Sequence, residues 1–321
     1  MGLLSGGLDS TLAAKLMIDQ GINVYLIHFT TPFDSESPKK TGRSSVSTAI
    51  RQLGNIPLMR ITMKHDFLEM LIHPKYGYGK GMNPCIDCRI ISLKKAGQYM
   101  EQIGASFIFI GEVVGQRPMS QHKKAMNIID QDSGLQGYIL RPLSAALLEP
   151  TTPEKKGWID RNALLSLSGR SRKGQIALAR QKGITDYPSP AGGCLLTDKN
   201  FSERFRDYLA FTRRPSLDDI PLLKVGRHFR LENGDKIIVA RDEQEGEFLI
   251  SQYHEKNHLF FPEDFSGPVV MLKGDSLDKA VEKMMQYTNK ALPVGARINY
   301  WHNGIKRILF LGEMPGAGIK G

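Results

Sequence analysis

Cysteine is scarce in this chain. Cys85, Cys88 and Cys194 are the only three among 321 residues, too few for a disulfide framework, so a cytosolic metal or redox role is the better reading. No stretch approaches the roughly 20 apolar residues that a membrane helix needs, and no membrane partner is expected. A basic n-region followed by a long apolar h-region is also missing, so no secretory signal is expected and the chain reads as cytoplasmic. Internal repeats and low-complexity segments are absent. With 41% apolar and 24% charged residues, the composition is that of an ordinary soluble protein, long enough for two domains with a sizeable core.

Acidic side chains are thin where basic ones gather. The net charge is +10; residues 1–200 carry 25 basic against 16 acidic side chains, whereas the remainder carries 18 against 17. Lys155, Lys156, Arg161, Arg170, Arg172, Lys173, Arg180 and Lys182 fall within one short stretch whose acids are Glu154 and Asp160. That density suits the phosphates of a polyanion. A solvated basic helix face is the plain alternative, and charge alone does not say which nucleic acid is bound.

The first half alternates strand-like and helix-like segments. Leu3-Leu4 ends a first strand, residues 9–20 follow as a helix with Leu12, Ala13, Leu16 and Met17 on one face, and Asn23–Phe29 is a compact apolar strand. Helices are expected at 42–53 and 88–103, and strands at Pro57–Ile61, Phe107–Ile110 and Tyr138–Leu140. Alternation with fully apolar strands indicates an α/β, doubly wound parallel sheet, which places ligands at the carboxyl ends of its strands. Residues 149–153 read as a linker, 160–183 as a basic helical stretch, and 187–193 as a turn-rich segment delivering Cys194. The texture changes near Pro215: strands at Phe229–Leu231, Lys236–Ala240, Val269–Leu272, Ile298–Trp301 and Ile305–Leu311, with an amphipathic helix over 276–289, describe a smaller α+β module. The domains expected are 1–205 and 214–321.

Ser5-Gly6-Gly7-Leu8-Asp9-Ser10 stands between the first strand and helix. Glycines there let backbone N–H groups approach phosphate oxygens, and the following helix N-terminus favours an anion. Ser5 and Ser10 are placed to donate to phosphate and Asp9 to hold a magnesium ion on the pyrophosphate. No Lys follows the glycines, so this is not the loop that handles γ-phosphates. The segment resembles the PP-loop of the ATP pyrophosphatase superfamily, pattern SGGxDS, at all six positions. The resemblance implies a PP-loop (HUP-like) fold that opens ATP between its α- and β-phosphates, with His28 and Phe29 bordering the adenine. It also implies that Gly111, Gln116 and Arg117 face the nucleotide or the substrate phosphate. Family members usually carry a longer apolar strand before the loop, whereas only Met1–Leu4 precede Ser5 here.

Asn83-Pro84-Cys85-Ile86-Asp87-Cys88 enters a helix at about Cys85, a position that lowers a thiol pKa and favours the thiolate. A lone CxxC is ambiguous among zinc, redox and cluster use. After the third strand of a PP-loop domain, NPCxxC with a further cysteine about a hundred residues on resembles the tRNA 2-thiouridylases. The three together resemble the cluster-dependent tRNA thiolation enzymes, in which three thiolates hold a 4Fe-4S cluster with one iron open. Two mechanisms compete. In one, Cys85, Cys88 and Cys194 hold a 4Fe-4S cluster that presents hydrosulfide; in the other, Cys88 or Cys85 carries a persulfide and Cys194 resolves the disulfide. The cluster is the expectation, because it accounts for all three thiols. Structural zinc with His122 or His73 as the nitrogen ligand comes third.

In the second domain, Val225–Leu231 followed by Gly234–Arg241 and Asp242–Glu247 resembles the NFACT-type RNA-binding domain, with Ala240-Arg241-Asp242 where that family prefers Gly-Arg-Asn. Arg227, His228, Arg230, Arg241 and Lys306 are its RNA-facing candidates. The competing reading is a dimerisation module, giving a homodimer. These resemblances together imply an ATP- and magnesium-dependent tRNA sulfurtransferase. A flipped uridine would be adenylated and sulfide would displace AMP, while Arg117, Arg141, Arg170, Arg172 and Lys173 hold the tRNA backbone. The sulfur would come from sulfide or a cysteine desulfurase. Two other classes stay open, a PP-loop amide-forming ligase and a non-catalytic RNA-binding protein.

Overall fold

The computed structural model describes residues 1–34, 44–189, 193–288 and 292–310. The chain divides into two compact units, Met1–Ser202 and Glu203–Gly321. The first runs β1 (Gly2–Leu3), α1 (Leu8–Asp19), β2 (Leu26–Thr30), α2 (Ser45–Gln52), β3 (Leu58–Thr62), α3 (His65–Ile72), α4 (Cys85–Gln102), β4 (Ile108–Ile110), α5 (Lys123–Asp132), β5 (Ile139–Leu140), α6 (Thr152–Lys155), α7 (Lys173–Gln181) and the start of α8 (Lys199–Phe211). All strand pairs are parallel, in the order β3-β2-β1-β4-β5. The chain therefore winds outward in both directions from β1, the doubly wound arrangement expected.

Alternation along the strands divides the core. Leu26 and Phe109 join Leu12, Ala13, Met17, Val46, Ala49 and Ala179 on the face covered by α1, α2 and α7. Ile27, Ile108 and Ile110 pack instead with Ile90, Leu93, Ala96 and Ile129 under α4 and α5. Two faces buried under helices need apolar residues at consecutive strand positions, and β4 is Ile-Phe-Ile, fully buried. Gly2 is forced by the same packing, since a Cβ there would lie 2.1 Å from the Phe109 ring.

The second unit adds α9 (Ile220–Lys224), β6 (Arg227–Arg230), β7 (Lys236–Val239), α10 (Glu243–Ser251), β8 (His258–Pro262), β9 (Val270–Lys273), α11 (Leu277–Gln286), β10 (Arg297–His302) and β11 (Ile305–Phe310). These six strands form an antiparallel sheet, order β11-β10-β8-β9-β7-β6. Ile237, Val239, Phe260, Val270 and Leu272 pack on Ala280, Val281 and Met284 of α11. Ile238, Leu259 and Met271 pack with Leu222 and Leu249, from α9 and α10.

The structure corrects several expected boundaries. The 160–183 segment is not one helix. Leu165 and Leu167 donate backbone N–H bonds to Pro142 O and Leu143 O at 2.9 and 2.8 Å, so the chain runs extended there and α7 begins only at Lys173. Helix α4 starts at Cys85, with Pro84 as its cap residue. Strand β8 went unexpected because His258-Leu-Phe-Phe-Pro has three consecutive apolar residues and no alternation; α3, α5 and α10 were not expected either. Residues 42–43, 190–192, 289 and 311, which complete expected segments, lie outside the described residues.

His228 sits on β6 with Nε2–H donated to Val225 O at 2.8 Å and Nδ1 buried without a hydrogen-bond partner. Burial pushes its pKa from 6.5 down to about 3. A depressed folded-state pKa gives stability that is complete above 6.5 and lost as pH falls toward about 3, at up to ~1.4 kcal/mol per pH unit. Urea midpoints for the second unit's transition should therefore fall between pH 6.5 and 3, and His228→Gln should flatten that dependence; an unchanged slope would refute the assignment.

Candidate active site

The loop Ser5–Ser10 leaves the carboxyl end of β1 and becomes α1. Gly6 has φ +75°, and a Cβ on it would lie 2.6 Å from Val46 N. Gly7 caps α1 with an extended backbone and no side-chain cap, which leaves the first N–H groups of the helix for an anion. Ser10 Oγ accepts from Ser5 N at 3.2 Å and donates to Gly7 O at 3.0 Å, while Thr11 Oγ1 also donates to Gly7 O at 2.9 Å. These bonds hold the curve of the loop from inside. Gly111, at the end of β4, closes it from the side: its Cβ would lie 2.5 Å from both Asp9 C and Ser10 N.

Asp9 stands at the mouth of this cradle. Its Oδ2 accepts from Gln116 Nε2 at 2.7 Å, and Gln116 Oε1 accepts from Gln175 Nε2 at 2.9 Å. Asp9 Oδ1 is buried without a hydrogen-bond partner, with an Arg172 guanidinium nitrogen 3.7 Å away. An orphaned carboxylate oxygen beside a phosphate cradle fits a magnesium ion. His28, on β2, is held against Leu4 O through Nδ1 at 2.7 Å. Burial keeps its pKa below the usual value, so the neutral ring donates from Nδ1 and leaves Nε2 as an acceptor. Phe29 follows it on the strand, half-buried.

The three thiols come from two distant stretches. Cys85 and Cys88 lie on the first turns of α4, where Asn83 Nδ2 donates to Cys85 Sγ at 3.1 Å. Asp87 between them accepts from Lys75 N and Tyr76 N at 2.9 and 3.1 Å, so it fixes the preceding loop. Cys194 is brought in by its backbone. It bridges Asp34, Leu195 N donates to Phe33 O at 2.8 Å, and Met82 N donates to Leu196 O at 3.0 Å. Burial pushes the Cys88 thiol up to about 12; Arg89 pulls it down, and Cys194, Cys85 and Asp34 add to the rise. Burial likewise raises Cys194 to about 11, with Cys85 and Asp34 adding to it, and the Leu196 N–H and Arg117 opposing. The expected helix-terminus effect is thus outweighed by desolvation at Cys88. All three are free thiols.

The cluster expectation is corrected by this geometry. Among the described residues, no three His, Cys, Asp or Glu side chains converge as a metal-ligand set. Cys85, Cys88 and Cys194 feel one another's charge but do not form the three-thiolate seat that a 4Fe-4S cluster requires. The zinc alternative meets the same finding, and His122 is already occupied: its Nδ1 accepts from Ala125 N at 3.2 Å as the cap of α5.

The basic candidates separate into several environments. Arg141, expected on the tRNA backbone, is 4% exposed and bonds Glu112 at 3.0 Å and Asp130 at 2.8 and 2.7 Å; it is a core ion pair, unable to meet RNA. Arg172 is half-buried against Asp9, whereas Arg117, Arg170 and Lys173 are exposed. In the second unit Arg241 pairs with Glu245, Arg227 lies over the Tyr287 ring at 4.7 Å and Lys306 over Trp301 at 3.9 Å. Sequence reasoning missed Gln175 and Asp34 at the site. Gln175 is 1% exposed, and a buried glutamine within a basic helix was the available signal.

Residues 1–147 match the family model described as thiamine biosynthesis protein (ThiI), and residues 226–297 match the NFACT protein RNA binding domain. A tRNA-specific 2-thiouridylase MnmA of Dichelobacter nodosus (strain VCS1703A) is 26% identical over 64% of this chain and 54% of its own length. A probable tRNA sulfurtransferase of Lysinibacillus sphaericus (strain C3-41) is 32% identical over 44% of this chain and 33% of its own. The first unit is homologous to the PP-loop tRNA-thiolation enzymes. An NFACT-type RNA-binding domain follows it. The chain spans about half, or less, of the length of these two curated relatives. A solved 4-thiouridine synthetase–RNA complex with bound ATP superposes with a TM-score of 0.39 and 19% identity, over 69% of this chain and 51% of that one, a level of likeness that carries no argument. Among the described residues no helix is long and apolar enough to cross a membrane.

Two measurements test this geometry. Gly111→Ala should lower the first unit's unfolding free energy by about 1–3 kcal/mol, because the added methyl would meet the Asp9 and Ser10 backbone in a packed turn; a wild-type urea midpoint would refute the contact. Since the thiolate is the reactive form, iodoacetamide labelling of Cys88 and Cys194 should rise about tenfold per pH unit from pH 8 to 10. A plateau below pH 8 would show that burial does not hold these thiols protonated.

Proposed function

We propose that this chain is an ATP-dependent tRNA sulfurtransferase that works through a cysteine persulfide, with residues 1–205 forming the catalytic domain and 214–321 an RNA-positioning domain. The observation carrying it is a pair of adjacent residues: Gln116 bonds Asp9 in the nucleotide loop at 2.7 Å, and Arg117 beside it acts electrostatically on Cys194. That adjacency supports a reading in which the thiols and the phosphate cradle serve one reaction.

The backbone N–H groups of 5–10 would hold the ATP phosphates, and Asp9 would hold a magnesium ion, which when bound supplies positive charge to the phosphates. A uridine carbonyl oxygen attacks the α-phosphorus, forming an O–P bond while the bond to pyrophosphate breaks. The terminal sulfur of a persulfide on Cys85 then attacks the adenylated carbon and AMP leaves with its oxygen. Cys194 attacks the Cys85 sulfur; the S–S bond to the base breaks, a Cys85–Cys194 disulfide forms, and sulfur stays on the base. A thiol reductant must reopen that disulfide, and a cysteine-desulfurase-type donor must reload the persulfide. Exposed Arg117, Arg170 and Lys173 are among the cations of this unit that would face the tRNA backbone.

Nucleoside mass spectrometry of tRNA incubated with ATP, a persulfide donor and the protein provides the test. Thionucleoside formation should vanish in Cys85→Ser and Cys194→Ser while tRNA-dependent AMP formation survives. Asp9→Ala should lose both by about 10²-fold or more. Full activity in the two cysteine variants would overturn the sulfur-transfer reading and favour an amide-forming ligase.

A further inference from the structure

The second unit contains a cavity of about 310 Å³ between α8, α9 and the β6–β7–β9 side of its sheet. Three cations face it with two carboxylates. Arg230 donates to Asp207 at 2.9 and 2.8 Å and Lys236 donates to the same carboxylate at 2.6 Å, while Lys273 bonds Asp219 at 2.7 Å. Asp207 is thus shared between two cations, and the set keeps one uncompensated positive charge. Lys236 is 8% exposed, and leaving an uncompensated charge beside so buried a position is costly unless an anion completes it. Tyr208 is already spent as a donor to Asp219 at 2.8 Å, and the neutral His228 ring adds no charge.

At the rim stands Phe211, the last residue of α8. Its ring is 57% exposed, with the Arg230 guanidinium 4.2 Å from the centroid. A guanidinium on one side of an otherwise open aromatic ring, beside a pocket lacking one negative charge, matches one phosphodiester with one adjoining base. The diester supplies a single negative charge and the base a π-face, which any of the four bases can offer. Asp207, Phe211 and Asp219 all precede the 226–297 segment that matches the NFACT domain, so the preceding helices contribute half of this site.

We propose that this cavity is the single-stranded RNA contact of the second unit, holding one phosphodiester at Arg230, Lys236 and Lys273 with a base stacked on Phe211. It rests on the tRNA reading above and names where, in this unit, the RNA is held. Phe211→Ala and Lys273→Gln change exposed or half-exposed side chains, and Asp219→Asn removes the carboxylate that competes for Lys273.

The full-length protein is titrated into a labelled ten-nucleotide oligouridine, with anisotropy as the readout and uridine monophosphate as the competing free nucleotide. Phe211→Ala should weaken binding at least about fivefold, as expected for loss of a base stack. Lys273→Gln should weaken it and reduce the salt slope by about one, whereas Asp219→Asn should tighten it. A 5-iodouridine oligonucleotide, photocrosslinked to the wild-type protein, should attach to the peptide containing Phe211, which no loss of folding can mimic. Wild-type affinity in Phe211→Ala and Lys273→Gln, or crosslinks confined elsewhere, would overturn the site while leaving the sulfurtransferase reading intact. Displacement of the oligonucleotide by micromolar uridine monophosphate would assign the cavity to a free nucleotide and overturn the RNA assignment. Failure of the wild-type chain to bind either tRNA or the oligonucleotide would remove both readings.

Discussion

The hydrogen bonds from Leu195 N to Phe33 O and from Met82 N to Leu196 O, at 2.8 and 3.0 Å, connect three parts of the chain that local sequence keeps apart. One lies beyond β2, one immediately precedes α4, and one lies more than a hundred residues later. Backbone bonds carry the connection, so it does not depend on which side chains occupy 194–196. It does depend on the carboxyl ends of the parallel strands being side by side. The doubly wound order provides that, since β2 is hydrogen-bonded to β1 and β1 to β4, with the PP-loop leaving β1 between them. The backbone beside Cys194 is tied to the segment leading into the CxxC because the sheet brings Phe33 and Met82 to one end.

Once assembled, Cys88 and Cys194 are resting groups. Burial holds Cys88 near 12 and Cys194 near 11, so at neutral pH both are protonated. Asp34 adds to this by opposing a second negative charge nearby. Kept protonated, these two thiols are protected from unselective oxidation, because the thiolate is the oxidisable form. Arg117 and Arg89 are the opposing influences, each lowering the pKa of one thiol.

What was readable beforehand follows from interaction range. SGGLDS carries its own glycines, serines and carboxylate, and the apolar runs around it announce a parallel sheet. Loop and fold were therefore visible locally. Arg141 shows the opposite case. Its charge looked available for RNA, but Glu112 and Asp130, twenty-nine and eleven residues away, enclose it, and no local pattern records such a pairing. The 160–183 stretch was misread because its helix-compatible composition ignores that Leu165 and Leu167 can add backbone bonds alongside 142–143. The expected cluster failed for a similar reason: three cysteines give a stoichiometry, while a ligand set needs convergence that residue spacing cannot supply.

The same distinction limits what the net charge of +10 says about RNA. Several of the basic residues between 155 and 182 are engaged by the fold itself. Arg161 pairs with Glu154 under the 145–148 turn, Lys156 covers Trp158, Arg172 faces Asp9, and Lys182 holds Asp19 at 2.7 Å. Paired charges still add to the long-range field that draws a polyanion in, but they make poor short-range phosphate contacts unless their partner is displaced. Attraction and positioning are therefore divided. On the reading proposed above, the first unit's excess charge would govern encounter, and exposed cations such as Arg117, Lys155, Arg170, Lys173 and Arg180 would determine where a phosphate comes to rest. The RNA contact proposed for the nearly neutral second unit would then add registration more than attraction, because one charge and one stacked base constrain orientation without greatly raising the salt-dependent part of the affinity.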